Sequence, residues 1–195
     1  MMFFGKKDFD AKLLNELVMK TVTEIFEKMS KEKFSRQPVT KRRPIIVEGE
    51  DRMMASGFFK NFGRSYISSI NYYLTQGHAQ RHKPSGTLVV YVSQIVAEQL
   101  FKSMNLLTKS KVDDALLADL CGELCNMFAG DFKTKLVSAG YRDLLISSPV
   151  NFLDKSSEGV EFNFDLDFYQ EFQFYLYNEK AIVVDVALTA LPKAM

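Results

Sequence analysis

Apolar residues recur at steps of three and four near the start of the chain, at Phe9, Leu13, Leu17, Val18, Val22, Ile25, Phe26 and Met29. This spacing predicts an amphipathic helix over 8–30, with Asp8 as its cap. Residues 30–43 are polar and basic and carry Pro38, which predicts a loop. Short β-branched and aromatic runs then predict strands at Pro44-Ile45-Ile46-Val47, Ser56-Gly57-Phe58-Phe59 and 65–72. A polar stretch over 76–86 predicts a second loop. The run Gly86-Thr87-Leu88-Val89-Val90-Tyr91-Val92 predicts a strand, after which Ser93 caps a helix over 94–105. Ser110 with Asp113, and Gly140 at the far end, bracket a long helix over 111–139. Leu145 to Pro149 read as a short strand stopped by the proline.

The last third alternates with period two. Val160, Phe162, Phe164, Leu166 and Phe168 interleave with Glu161, Asn163, Asp165 and Asp167. Phe172, Phe174 and Leu176 follow, then a turn at Asn178-Glu179-Lys180 and a closing strand over 181–188. An apolar sheet face of this size needs a cover, and the long helices supply it. The predicted fold is α/β of the α+β kind: one domain over 1–195, long helices packed on a largely antiparallel sheet. Helix-then-strands occurs twice, as a pseudo-symmetric domain would require.

Composition narrows the function classes. Hydrophobic residues make up 47% and charged residues 25%, an ordinary globular balance. The net charge of +1 lacks the basic excess of a dedicated nucleic-acid binder. No stretch is apolar enough to span a bilayer, and Gly5-Lys6-Lys7 cuts short the apolar opening, so a cytoplasmic location is expected. Cys121 and Cys125 make no disulfide framework and read as small buried hydrophobes. His78 and His82 stand four apart but lack acidic or thiol company, so a loop is expected there rather than a metal site. Lys41-Arg42-Arg43, the densest positive run, reads as solvated loop, with a docking patch for an acidic partner as the rival.

The long helix carries the candidate chemistry. Asp119, Glu123 and Asn126 fall within roughly 60° of one another at about 100° per residue. Leu117, Cys121, Leu124, Phe128 and Phe132 line the opposite side as a core stripe. Ala115, Gly122, Ala129 and Gly130 flank the polar residues and leave bare backbone around them. Each internal glycine costs a helix roughly 1 kcal/mol relative to alanine. Two reasons for that cost stand open: close packing against another element, or clearance for a partner approaching Glu123 and Asn126.

Asp119, Glu123 and Asn126, with Pro149 after 22 intervening residues, resemble the signature of the CheX/CheC/FliY phosphatases. That pattern is an acid or serine, three residues, glutamate, two residues, asparagine, and a distant proline. Met127-Phe128-Ala129-Gly130, the exit from Gly140 to Pro149, and the strand from Gly86 into Ser93 look like CheX as well. The resemblance is strong over 86–150 and weaker toward both ends.

The resemblance implies an enzyme that hydrolyses the aspartyl phosphate of a CheY-like receiver domain. It implies that Asn126 orients the attacking water and that Glu123 pairs with the receiver's active-site lysine. Asparagine has no useful acid–base titration but holds a water by hydrogen bonds, so these roles suit the residue types. Asp119, Gly122, Gly130 and Pro149 would support the site, Asp119 also reading as a solvated residue and Pro149 as a strand end. The chain itself would bind no metal or other cofactor, because Mg²⁺ arrives on the phosphorylated receiver. Glu24 and Glu27 on the first helix have no asparagine three residues later, so a single site is expected. A homodimer through sheet edges is implied, with the apolar strands over 160–188 as candidates. The alternative function is a docking module that binds a receiver or a flagellar switch component without catalysis. A further alternative makes Glu123 and Asn126 mere packing residues; side chains projecting from an open helix face would separate the two outcomes.

Overall fold

The computed structural model describes residues 8–45, 64–105, 113–153 and 166–194. The first helix, α1 (Ala11–Ser30), starts later than the periodicity predicts, because Asp10 and not Asp8 is its cap. The Asp10 carboxylate accepts from the amides of Lys12 and Leu13, at 2.9 and 3.2 Å. Asp8 lies two residues too early and pairs instead with Arg42, at 3.2 Å.

The basic run predicted as a loop is an edge strand, β1 (Val39–Pro44). Its ladder pairs Lys41 with Glu171, Arg42 with Gln170 and Arg43 with Tyr169. The cations are tolerated there because their heads have partners: Arg42 lies 3.8 Å over the Phe168 ring, and Arg43 reaches Glu171 at 3.4 Å. A strand so charged also resists pairing with a further strand.

β2 (Ser65–Tyr73), α2 (Gln76–Gln80), β3 (Gly86–Ser93), α3 (Gln94–Ser103) and α4 (Asp114–Ser138) follow. The loop expected at 76–86 thus opens with one helical turn, capped by Thr75. Ser93 caps α3 as predicted, accepting from Val96. Asp113 caps α4, and Gly140 stands at φ +82 just past its end. β4 (Leu145–Ile146), β5 (Val150–Leu153), β6 (Phe168–Leu176) and β7 (Glu179–Leu188) complete the chain. The β6–β7 turn is one residue earlier than predicted, at Tyr177 and Asn178, both with positive φ. Ser110, the strand over 56–59, Ile46-Val47 and the alternation over 160–165 lie outside the described residues.

The strands form one antiparallel sheet in the order β1-β6-β7-β3-β2-β4, with β5 also on β2. β6 and β7 each have a neighbour on both sides, so these described strands offer no free edge for a dimer, contrary to expectation. Period-two alternation sends Ile70, Val90, Phe174 and Val184 to the face covered by α1, α3 and α4.

The opposite face buries polar groups. Glu171 and Asp185 are directly paired across β6 and β7 and have no solvent exposure. Glu171 Oε1 accepts from Gln173 at 2.6 Å and faces Arg43, whereas Glu171 Oε2 and both Asp185 oxygens lie outside normal hydrogen-bond geometry. The Arg43 guanidinium reaches Glu171, and the Lys180 ammonium also feels that carboxyl. Burial first and Glu171 second push the Asp185 carboxyl well above its usual range, against the smaller pull of Tyr91 and Arg43. Its folded pKa exceeds its unfolded one, so this contribution to stability is full below about pH 4 and falls as pH rises toward the folded pKa. Asp185→Asn, a neutral isostere, is expected to raise the melting temperature at pH 7 by at least about 2–4 °C. The same substitution should flatten the dependence of melting temperature on pH between about 4 and 8, which differential scanning calorimetry measures.

Candidate functional site

Helix α4 lies along β2, and the inward residues of the strand receive it in order. Near its start, Asp114 accepts from the Tyr66 hydroxyl at 2.9 Å and pairs with Arg64. Burial, then Asp114, holds the Tyr66 phenol protonated well above its ordinary range. At mid-helix the Cys125 thiol donates to the Ser68 carbonyl at 3.4 Å, and one turn later the Ala129 carbonyl accepts from the Tyr72 hydroxyl at 3.2 Å. The predicted core stripe is buried throughout: Leu117, Cys121, Leu124, Phe128 and Phe132 are at most 1% exposed. Burial pushes the Cys121 thiol up to about 12 and raises Cys125 as well, so both are inert packing groups.

The C-terminal half is clamped to α1. Asp131 accepts from Thr21 at 2.9 Å and pairs with Lys135, which also reaches Glu24 at 2.9 Å. Burial pulls Lys135 down, but its bonds to Asp131 and Glu24 outweigh that and its pKa is raised. Glu24, one of the two α1 glutamates considered for a second site, is thereby committed to holding α4.

With that side fixed, the other faces outward. Asp119 and Glu123 are exposed and Asn126 is half-buried. Among the described residues, Glu123 and Asn126 make no side-chain hydrogen bond or ion pair with one another or with any neighbour. They sit one helical turn apart, a spacing of about 5–6 Å between Cβ atoms. Exposed Leu116 and Met127, at 42% and 38%, lie on the same side of the helix.

The two glycines divide the explanations between them. Gly122 is buried, and a Cβ there would come within 2.7 Å of Asn151 Oδ1 and 2.8 Å of Nδ2. Close packing accounts for it. Gly130 is half-buried on the outward side, and a Cβ there would meet nothing within 4 Å, so packing does not account for it. Ala115 is exposed but Ala129 is fully buried, so the bare surface is narrower than the helical spacing suggested. The strand expected to stop at Pro149 ends already at Ile146, and Pro149 closes the link to β5, directly before Val150. Asn151 is the contributor that sequence reasoning missed; its only signal was its place two residues after Pro149.

Among the described residues Asp119 and Glu123 have no cation partner, and there is no cluster of three or more His, Cys, Asp or Glu suited to a metal. No described helix is long and apolar enough to cross a membrane. An exposed glutamate beside an amide, on a helix rigidly backed by a sheet, is equipped to pair with a cation and to orient a water rather than to act as a nucleophile.

This arrangement, helices on one face of an antiparallel sheet with the helix of Glu123 and Asn126 seated on β2, has the CheC/CheX-like fold. A CheC-like superfamily protein from Shewanella sp. PV-4 superposes with a TM-score of 0.57 at 15% identity, covering 92% of this chain and 98% of that one. Chemotaxis protein CheX from Vibrio vulnificus gives 0.56 at 14% identity, covering 91% and 99%. The CheX–CheY–BeF3–Mg complex from Borrelia burgdorferi gives 0.52 at 17% identity, covering 92% and 97%. In sequence, residues 79–161 match the family model of the chemotaxis phosphatase CheX. Comparison with curated protein sequences found no significant match.

Substitutions at the two glycines should behave oppositely. Gly130→Ala is expected to stabilise the protein by about 0.5–1 kcal/mol, because it adds helix propensity in open space. Gly122→Ala is expected to destabilise despite the same gain, since it displaces the Asn151 carboxamide. Urea denaturation of both variants measures the contrast.

Proposed function

We propose that the chain is a phosphatase domain acting on the aspartyl phosphate of a CheY-like response regulator. The observation that carries this is the pairing of an exposed Glu123 with an unengaged Asn126 on the open side of a helix whose other sides are fixed. The match of residues 79–161 to the CheX phosphatase family supports the reaction class. A structure of the same fold in complex with CheY and Mg supports the partner class.

In this reading the receiver supplies the aspartyl phosphate and Mg²⁺, and this chain supplies position. Glu123 pairs with the receiver's active-site lysine and registers α4 over the phosphoryl group. Asn126, one turn along, holds a water by hydrogen bonds in line with the phosphorus, and its neutral amide needs no proton transfer to do so. Positioning of this kind contributes up to roughly 7–11 kcal/mol in ideal intramolecular systems. Leu116 and Met127 give the docking surface apolar contact beside the acidic group, and Gly130 gives the partner room. Asp119 adds negative potential at the rim.

The deciding measurement is phosphate release from a phosphorylated CheY-like receiver and Mg²⁺, with and without this chain. Wild type is expected to accelerate release. Asn126→Ala should lower the rate by about 10²-fold or more while the complex still forms. Glu123→Ala should weaken binding as well as rate, and increasingly so at low salt, where ion pairs are least screened. Binding without acceleration by the wild type would make the chain a docking module instead.

A further inference from the structure

The two residues that precede Glu123 and Asn126 are both referenced to one point on the sheet. Gly122 stands immediately before Glu123, and its bare α-carbon faces the Asn151 carboxamide, with both polar atoms within 2.8 Å of where a Cβ would stand. Cys125 stands immediately before Asn126, and its thiol reaches the Ser68 carbonyl at 3.4 Å. Asn151 and Ser68 are themselves direct partners across β5 and β2, and Asn151 Oδ1 accepts from Ser68 Oγ at 2.8 Å. Ser68 is buried, at 1% exposure, so this bond is shielded from water. Its backbone carbonyl therefore locates residue 125 of α4, and its side chain, through Asn151, locates residue 122.

We infer that Asn151 and Ser68 form a positioning pair that sets the height and rotation of the helical turn carrying Glu123 and Asn126. The inference rests on the proposed phosphatase reading for its catalytic consequence, but its physical content is independent of it. A helix is free to slide and roll on a sheet by small amounts where only apolar side chains meet. Two contacts on successive turns, one of them to the backbone itself, remove both freedoms. Gly122 is the condition for this, because a Cβ there would displace the Asn151 carboxamide from its place against the helix. The carboxamide is likewise matched to the space: it fills the gap that a glycine leaves and keeps its oxygen bonded to Ser68. A displacement of about 1 Å in a reacting group can cost roughly 10²-fold in rate, so a support of this kind acts on turnover rather than on docking.

Asn151 and Ser68 touch neither the receiver nor the water, so the test must separate positioning from folding. Asn151→Ala and Ser68→Ala are expected to remain folded and to bind the phosphorylated receiver with KM within about two-fold of wild type, while kcat falls about ten-fold. Gly122→Ala should lower kcat by a similar factor. The Gly122→Ala, Asn151→Ala double variant should lose less than the product of the two single effects, because removal of the carboxamide makes room for the methyl group. Amide hydrogen exchange gives a readout that does not depend on activity: Asn151→Ala should speed exchange at residues 123–126 relative to 132–136 of the same helix. Wild-type kcat in Asn151→Ala, or additive losses in the double variant, would overturn the pair's role. If the wild-type chain releases no phosphate, the phosphatase reading fails, and unchanged exchange at 123–126 would then overturn the positioning pair on its own.

Discussion

The seat of α4 on β2 is the contact on which the rest of the molecule depends. Tyr66, Ser68 and Tyr72, alternate residues of one strand, meet Asp114, Cys125 and Ala129 in turn along the helix. Two of these contacts use backbone carbonyls, which cannot rotate away as side chains can. The α1 clamp at Thr21 and Glu24 adds a lateral restraint at the other end of the helix. A helix held from below and from one side has a single face left to offer, and that face carries Asp119, Glu123 and Asn126.

The electrostatics follow from this division. On the clamped side each acidic group has a partner: Asp114 has Arg64 and Tyr66, and Asp131 has Lys135 and Thr21. On the open side Glu123 has none among the described residues. A carboxylate left in water keeps its hydration and costs nothing until a partner arrives with a cation, whereupon a surface of low intrinsic stability contribution becomes a recognition element. In the proposed reading, phosphoryl chemistry needs positioned charge more than covalent participation, so Glu123 and Asn126 would need no nucleophile–base pair beside them.

The far side of the sheet shows a different economy. Glu171 and Asp185 face each other in the interior with Arg43 as the nearby guanidinium, an arrangement that stability alone does not favour. It also explains why the edge strand is so basic: Arg43 is held by the buried acid, Arg42 by Phe168 and Asp8, and the strand they form is unattractive to further strands. Any assembly through the sheet must therefore use something other than β6 or β7, which are closed on both sides.

Much of this was legible in the residues alone. The amphipathic period of α1, the apolar run of β3 with Ser93 at its end, the buried stripe of α4 and its stop at Gly140 are local patterns, and local patterns survive folding when every neighbour agrees with them. The grouping of Asp119, Glu123 and Asn126 is equally a consequence of helical pitch. What the chain could not declare were the facts that depend on a partner far away in sequence. Lys41-Arg42-Arg43 looks like loop because its value as a strand lies in Glu171 and Phe168, more than a hundred residues later. Asp10 and not Asp8 caps α1, because packing of the helix body decides where its first turn begins. Gly122 and Gly130 are indistinguishable as letters in one helix; only the return of β5 beneath α4 places Asn151 against the first and leaves open space over the second.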